Sequence, residues 1–259
     1  MELKLVDIKY LKKNNEILKG IDISLFNNSI ISIIGKNGSG KTSLLDIISL
    51  KEIPTQGNIC YKKNIINKSS SKKSLDIFRS KVYYSFQNPY SQLLNIPSLE
   101  NHTDINTIEI FNEFSPPKNY NDKISFGEIK KLQFLNAILS NKEILLLDDP
   151  VSGLDNKSIS SIIKYLKKSK SKDKIIVIAS NNIDFALEVS DFIIVMDSGK
   201  IVLSGNKYDV FKEENLLKSI GIMPPKITEF ENYVLKEKNI RLGYRDQIND
   251  LLKDIYRNV

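Results

Sequence analysis

An α/β fold is predicted by three features of this 259-residue chain. Residues 30–34 form an apolar run that opens onto the glycine-rich stretch Gly35-Lys36-Asn37-Gly38-Ser39-Gly40-Lys41-Thr42, with a helical pattern following from Ser43. Residues 144–147 form a second apolar run, which ends in the acids Asp148 and Asp149. Further runs at 175–179 and 192–196 read as buried strands, and between the second and third runs Ile159, Ile162, Ile163 and Leu166 fall at helical spacing over 156–168. Short apolar runs separated by amphipathic helices are the pattern of strands buried in a sheet with helices against it.

The glycine-rich stretch fits G-x-x-x-x-G-K-[ST] in the strand–turn–helix context that the motif requires. Glycines let the backbone approach phosphate oxygens, and the exposed N–H groups and helix N-terminus offer partial positive charge to an anion. Lys41 is expected to reach the β- and γ-phosphates, and the Thr42 hydroxyl to ligate Mg²⁺.

The remaining elements follow in order. Residues 3–10, 17–26 and 30–34 have a period near two, as in a small antiparallel sheet. The helix after the phosphate loop runs to about Leu50, and Pro54 and Gly57 break the chain before a strand at 58–61. Residues 67–74 are polar and basic and read as an exposed loop; 82–86 read as a strand. From 88 to 123 the chain is rich in Asn, Pro and Ser, with a helix at 107–114. Ile129, Leu132, Leu135 and Ile138 mark a helix over 127–139. Asp197-Ser198-Gly199-Lys200 reads as a hairpin turn. Beyond Tyr208 the pattern is helical, with Thr228 and Glu231 as a capping box behind Pro224-Pro225 and a last apolar stripe at Ile248, Leu251, Leu252 and Ile255. The expected organisation is a domain over 1–208 followed by a helical appendage over 209–259.

Composition sets limits. With 41% hydrophobic residues a packed core is expected without disulfides, and Cys60 is the only cysteine, which suits a reducing cytoplasm and excludes a cysteine metal site. No secretory signal is read at the N-terminus, and no apolar run approaches the ~18 residues of a membrane span. Membrane association is therefore expected through a partner. The formal charge of +7 comes mostly from dispersed lysines, read as a solvated surface with at most a mild attraction to anionic membrane or nucleic acid.

The order of later motifs narrows the phosphate-loop reading. Phe86-Gln87-Asn88-Pro89, then Ile124-Ser125-Phe126-Gly127-Glu128, then the 144–150 run with Asp148-Asp149-Pro150, then Ser152-Gly153-Leu154-Asp155 resemble the Q-loop, signature segment, Walker B strand and D-loop of the ATP-binding-cassette ATPases, with the phosphate loop as Walker A. Gln92 and the tail from Ile220 to Thr228 resemble the energy-coupling factor branch of that family. The resemblance implies a P-loop NTPase (RecA-like) core with an antiparallel β subdomain over 1–208, a short helical subdomain at about 88–140 inserted in it, and a C-terminal helical extension over 209–259 that serves dimerisation. It implies ATP and Mg²⁺ as cofactors, a second cassette and an integral membrane subunit as partners, no specific nucleic acid, and a place on the cytoplasmic membrane face.

By the same resemblance, Tyr10 either stacks on the adenine or packs in its sheet. Gln87 touches metal and lytic water, Asp148 holds Mg²⁺, and Asp155 lies at a dimer seam. Ser125 and Gly127 contact the nucleotide of the partner cassette. Three positions depart from the family's pattern. Asp149 stands where glutamate polarises the attacking water, and a carboxylate misplaced by ~1 Å costs on the order of 100-fold in rate. Asn181 stands at the switch histidine and cannot carry a proton. Phe126 replaces a glycine and puts a ring where a partner's nucleotide approaches. The segment between Gln87 and Ser125 is short, which trims the socket for a membrane subunit. The expectation is a cassette that binds ATP and hydrolyses it slowly at its own site, the weaker half of an asymmetric pair. The alternatives are another transporter class, a nucleotide-gated subunit without useful hydrolysis, and a cassette acting on nucleic acid. A nucleotide kinase is disfavoured by the D-loop-like element. His102, the only histidine, reads as a solvated loop residue.

Overall fold

The structure, a computed structural model, describes residues 2–92, 105–114, 124–238 and 250–253. Two sheets organise them. The first is antiparallel, in the order β2-β1-β4-β5, built from β1 (Glu2–Lys12), β2 (Asn15–Phe26), β4 (Gln56–Tyr61) and β5 (Asn64–Ile66). The second has the order β10-β9-β3-β8-β7-β6. Its members are β3 (Ser29–Ile34), β6 (Val82–Ser85), β7 (Ile144–Asp148), β8 (Ile175–Ser180), β9 (Phe192–Asp197) and β10 (Lys200–Asn206). All neighbours in it are parallel except the β9–β10 hairpin, which turns at the expected Ser198-Gly199.

The period near two placed residues 30–34 with the antiparallel strands. Instead β3 is central in the parallel sheet, between β8 and β9. Its apolar run had no polar face to give to solvent, as expected of a strand covered on both sides. β7 and β8 are buried at every residue for the same reason.

The large sheet is the middle layer. Ile31, Ile33, Leu146 and Val177 pack on one face with α1 (Lys41–Ile48) and the antiparallel sheet. Ile30, Leu145, Leu147 and Ile178 pack on the other face with α3 (Ile105–Phe114), α4 (Phe126–Leu139) and α5 (Asn156–Lys168). α6 (Ile183–Val189) contributes Phe185 to that cluster. The C-terminal helices α7 (Lys207–Lys212), α8 (Glu214–Ser219) and α9 (Lys226–Lys238) share a third cluster with Ile34, Ile193 and Val195. The described helices α7, α8 and α9 thus share a core with the large sheet.

Two expectations are corrected. Residues 67–74 are not all loop, because α2 (Lys72–Arg79) begins within them, capped where the Ser71 side chain accepts from the Ser74 amide. Thr228 and Glu231 form no capping box. α9 begins earlier, at Lys226, and both residues lie inside it and are buried. In the last apolar stripe, Leu251 is buried and Leu252 exposed, while Ile248 and Ile255 lie outside the described residues, as does His102. Among the described residues no helix is long and apolar enough to cross a membrane.

Candidate nucleotide site

In an open parallel sheet, ligands bind beyond the carboxyl ends of the strands. Here β3 runs into the glycine-rich loop, β6 into Gln87, β7 ends at Asp148 and β8 leads into Asn181. The register sets Ile34 beside Ser180, Asp148 beside Ala179, and Ser85 beside Leu147. Four adjacent strand ends therefore deliver residues far apart in sequence to one cleft of about 280 Å³. Its walls include Asn37, Lys41, Thr42, Gln87, Asp148, Asp149 and Asn181, with Gly38 and Gly40 in the loop.

The loop's geometry depends on glycine. A Cβ on Gly35 would lie 2.3 Å from the Met196 carbonyl oxygen and 2.6 Å from Ser39 Oγ. Gly40 caps α1 in the left-handed region, with φ 106°. Gly35→Ala should destabilise the chain by about 2 kcal/mol, because backbone and not a flexible side-chain end is in the way. Urea unfolding checks this.

The cleft holds one cation against two acids. Lys41 Nζ donates to the carbonyls of Gly35 at 2.6 Å and Lys36 at 3.0 Å, folded back on its own loop. Burial pushes its pKa down, with the Asp148 and Asp149 carboxylates opposing. Asp148 is only 3% exposed. Burial raises its pKa to about 6, the Thr42 hydroxyl bond lowers it, and the neighbouring Asp149 raises it. Asp149 is also raised, chiefly by burial. Asn181 Nδ2 donates to Asn37 Oδ1 at 2.9 Å, tying the end of β8 to the phosphate loop.

Two buried oxygens in this region have no hydrogen-bond partner: Asp148 Oδ2 and Ser39 Oγ. Orphaned buried oxygens call for an explanation, and an absent ion is one. A carboxylate oxygen beside the Thr42 hydroxyl fits a divalent cation. No cluster of three or more His, Cys, Asp or Glu with metal-holding potential exists among the described residues. That suits Mg²⁺, which uses one or two carboxylates together with substrate phosphates.

Other expected site residues lie elsewhere. Gly35 and Lys36 line a neighbouring cavity with Gly221 and Met223, so the segment between α8 and α9 abuts the phosphate loop. Ser125 caps α4 in a capping box with Glu128, with Gly127 in the first turn of that helix. Neither lines the cleft. Asp155 caps α5 by accepting from the Ser158 amide at 2.8 Å.

Of the two places expected for Tyr10, the structure shows the one in the sheet: it is 6% exposed and belongs to the core beneath the antiparallel sheet. The cause is a register shift between Leu5 and Ile8, with Asp7 at φ 45°. Leu3 and Leu5 point inward on odd positions; after the irregularity Ile8 and Tyr10 point inward on even ones. A bulge of this kind re-aims every later side chain.

Sequence reasoning missed the inward polar face of α4. Gln133 Nε2 donates to the Phe86 carbonyl at 2.9 Å and to Gln92 Oε1 at 2.8 Å. Lys130 is buried beside it. Lys130 and Gln133 are two of five polar or charged side chains in this helix, and nothing in the sequence marks them as the buried ones.

Comparison with known proteins agrees with this geometry. The sequence profile of the ABC transporter family matches residues 18–152. The energy-coupling factor transporter ATP-binding protein EcfA1 of Caldanaerobacter subterraneus subsp. tengcongensis is 30% identical over 246 residues, covering 87% of this chain and 86% of that protein. The structure of cbiO1 from Clostridium perfringens, part of the ABC transporter complex cbiONQ, superposes with a TM-score of 0.66 at 25% identity, covering 89% of this chain and 98% of the other. The ATP-binding cassette MJ0796, dimeric in a post-hydrolysis state with ADP and phosphate, shares the fold with a TM-score of 0.67 at 21% identity, covering 79% and 98%. The chain belongs to the ABC transporter family and is an ATP-binding cassette similar to the energy-coupling factor ATP-binding subunits.

Proposed function

We propose that this chain is the ATP-binding subunit of an energy-coupling factor type membrane transporter, coupling ATP binding and hydrolysis to substrate uptake. The observation that carries the reading is the meeting of Lys41, Thr42, Gln87, Asp148, Asp149 and Asn181 in one cleft at four parallel strand ends. Thr42, Gln87 and Asp148 would hold Mg²⁺, which when bound neutralises charge on the phosphate oxygens. Lys41 leaves its two loop carbonyls and takes up the β- and γ-phosphates. Ser39 Oγ, unpartnered and buried, is a further donor toward the same anion. Asp149 orients the attacking water, and Asn181 donates a hydrogen bond to phosphate without exchanging a proton.

Partners follow from the site's incompleteness. Ser125 and Gly127 lie outside the chain's own cleft, which supports a head-to-tail pair in which each cassette presents its signature segment to the other's nucleotide. Asp155 would sit at that seam. The helical subdomain over 88–140 would meet an integral membrane subunit, placing the chain on the cytoplasmic face of the membrane, and the 209–259 segment would assist dimerisation.

Asp149 and Asn181 together favour the catalytically weaker half of a heterodimer. In the purified transporter, Asp149→Asn should leave more than about half of the ATP turnover, while the equivalent change in the partner cassette removes about 90% or more. Loss of most turnover from Asp149→Asn alone would reverse the assignment.

A further inference from the structure

Lys130 is 1% exposed, in the second turn of α4. Its Nζ donates to the Gln87 carbonyl at 2.8 Å and to the Asp149 carbonyl at 3.0 Å. The Phe126 ring centroid lies 5.9 Å from the same nitrogen. Burying an ammonium costs several kcal/mol unless hydrogen bonds replace its water. Pure packing would be met at lower cost by an apolar side chain of that length. Burial pushes the Lys130 pKa down, and the Asp149 and Asp148 carboxylates oppose this.

The two carbonyls lie just past β6 and β7, which pair as far as Ser85 and Leu147, and Lys130 ties the chain ends beyond that pairing. Asp149 sits in the left-handed region with φ 50°, which a non-glycine residue holds only when its surroundings fix it. Its amide donates to the Ala179 carbonyl at 2.8 Å, and its own carbonyl is held by Lys130. On the other side, Gln133 takes the Phe86 carbonyl and Lys130 takes the next one, Gln87. Phe126 closes the arrangement. Its ring stands 6.2 Å from that of Tyr90, and a Cβ on Gly153 would lie 3.0 Å from it. The ring touches Tyr90 and Gly153 of its own chain and is still 38% exposed.

We propose that Lys130 is a positioning residue that fixes the backbones of Gln87 and Asp149 to α4, so that displacement of the Ser125–Gly127 end of that helix moves both together. This rests on the ATPase reading for its purpose but not for its geometry.

The test uses Lys130→Met, which keeps length and removes the donors, and Lys130→Arg, which restores a charged donor group. In the nucleotide-free full chain, Lys130→Met should speed amide hydrogen exchange about tenfold in the segments around Gln87 and Asp149 together, with α5 and β8 unchanged. In the purified transporter, the catalytic rate constant per site of this chain should fall about tenfold with KM changed less than about threefold, and Arg should recover most of it. If the Met variant does not fold, Lys130→Gln, able to reach at most one carbonyl, should loosen a single segment. Unchanged exchange in both segments, or acceleration spread over the whole chain, overturns the proposal. Coupled exchange in a chain that retains no ATP would uphold the tie and overturn the ATPase reading; ATP turnover with unaltered exchange would do the reverse.

Discussion

Lys41→Ala should raise the dissociation constant for ATP about 100-fold or more, close to 3 kcal/mol of binding free energy. The ammonium is the cation of the cleft wall, set against two carboxylates that would otherwise repel a triphosphate. In the nucleotide-free chain it is held by the Gly35 and Lys36 carbonyls, so binding exchanges two neutral acceptors for charged ones. Charge-assisted bonds are roughly twice as strong as neutral ones, and the low exposure of Lys41 preserves that difference. The apo fold should tolerate the change. Removing a buried charge relieves its desolvation, which offsets the loss of its two bonds to the Gly35 and Lys36 carbonyls. Lys41→Arg should not rescue, because a planar fork does not fit where a compact ammonium did. Titration calorimetry with Mg²⁺ present gives the comparison. Unchanged affinity for Lys41→Ala would overturn the assignment of the loop as a nucleotide cradle.

The parts of this site that sequence disclosed are those written in contiguous residues. The glycine-rich turn follows a strand of isoleucines interrupted by Ser32, because a central parallel strand has no solvent face; Asp148 was legible as the first charge at the end of another buried strand. What escaped was set by contacts between distant segments or by one backbone irregularity. Tyr10 lies 25 residues before the loop, at a position suggesting base stacking, and a shift near Asp7 turns it into the core. α2 was read partly as loop because Phe78 is its one buried residue, among lysines and serines. The capping box at Thr228 was a correct local pattern overruled by Pro225, whose carbonyl accepts from the Glu229 amide and starts α9 earlier. Lys130 resembled any surface lysine, since its acceptors lie 43 and 19 residues away and only the fold brings them to it.

Asp148→Asn should stabilise the nucleotide-free chain at pH 7.5 and remove its response to Mg²⁺. The carboxylate is buried, and its Oδ2 has no partner. Burial first, and the charge of Asp149 as well, raise its pKa from 3.8 to about 6 against the pull of Thr42. A raised carboxyl pKa means the folded state binds the proton more tightly than the unfolded chain does. Its contribution to stability is therefore present below the unfolded value and lost as pH climbs from about 4 through about 6. Above that window the ionised group opposes folding by an amount of order 1–3 kcal/mol, at about 1.4 kcal/mol per unit. Asparagine never ionises, so the variant should melt a few degrees higher at pH 7.5 and equal the wild type near pH 4. With Mg²⁺ and ATP the order should invert, because a ligand that binds only the folded state adds stability the variant cannot gain. Melting curves at both pH values, with and without the nucleotide and metal, contain the whole test. A lower melting temperature for the variant at pH 7.5 without ligand would show that Asp148 is satisfied by the protein alone, and the strained carboxylate would then give no reason for a cation at the end of β7.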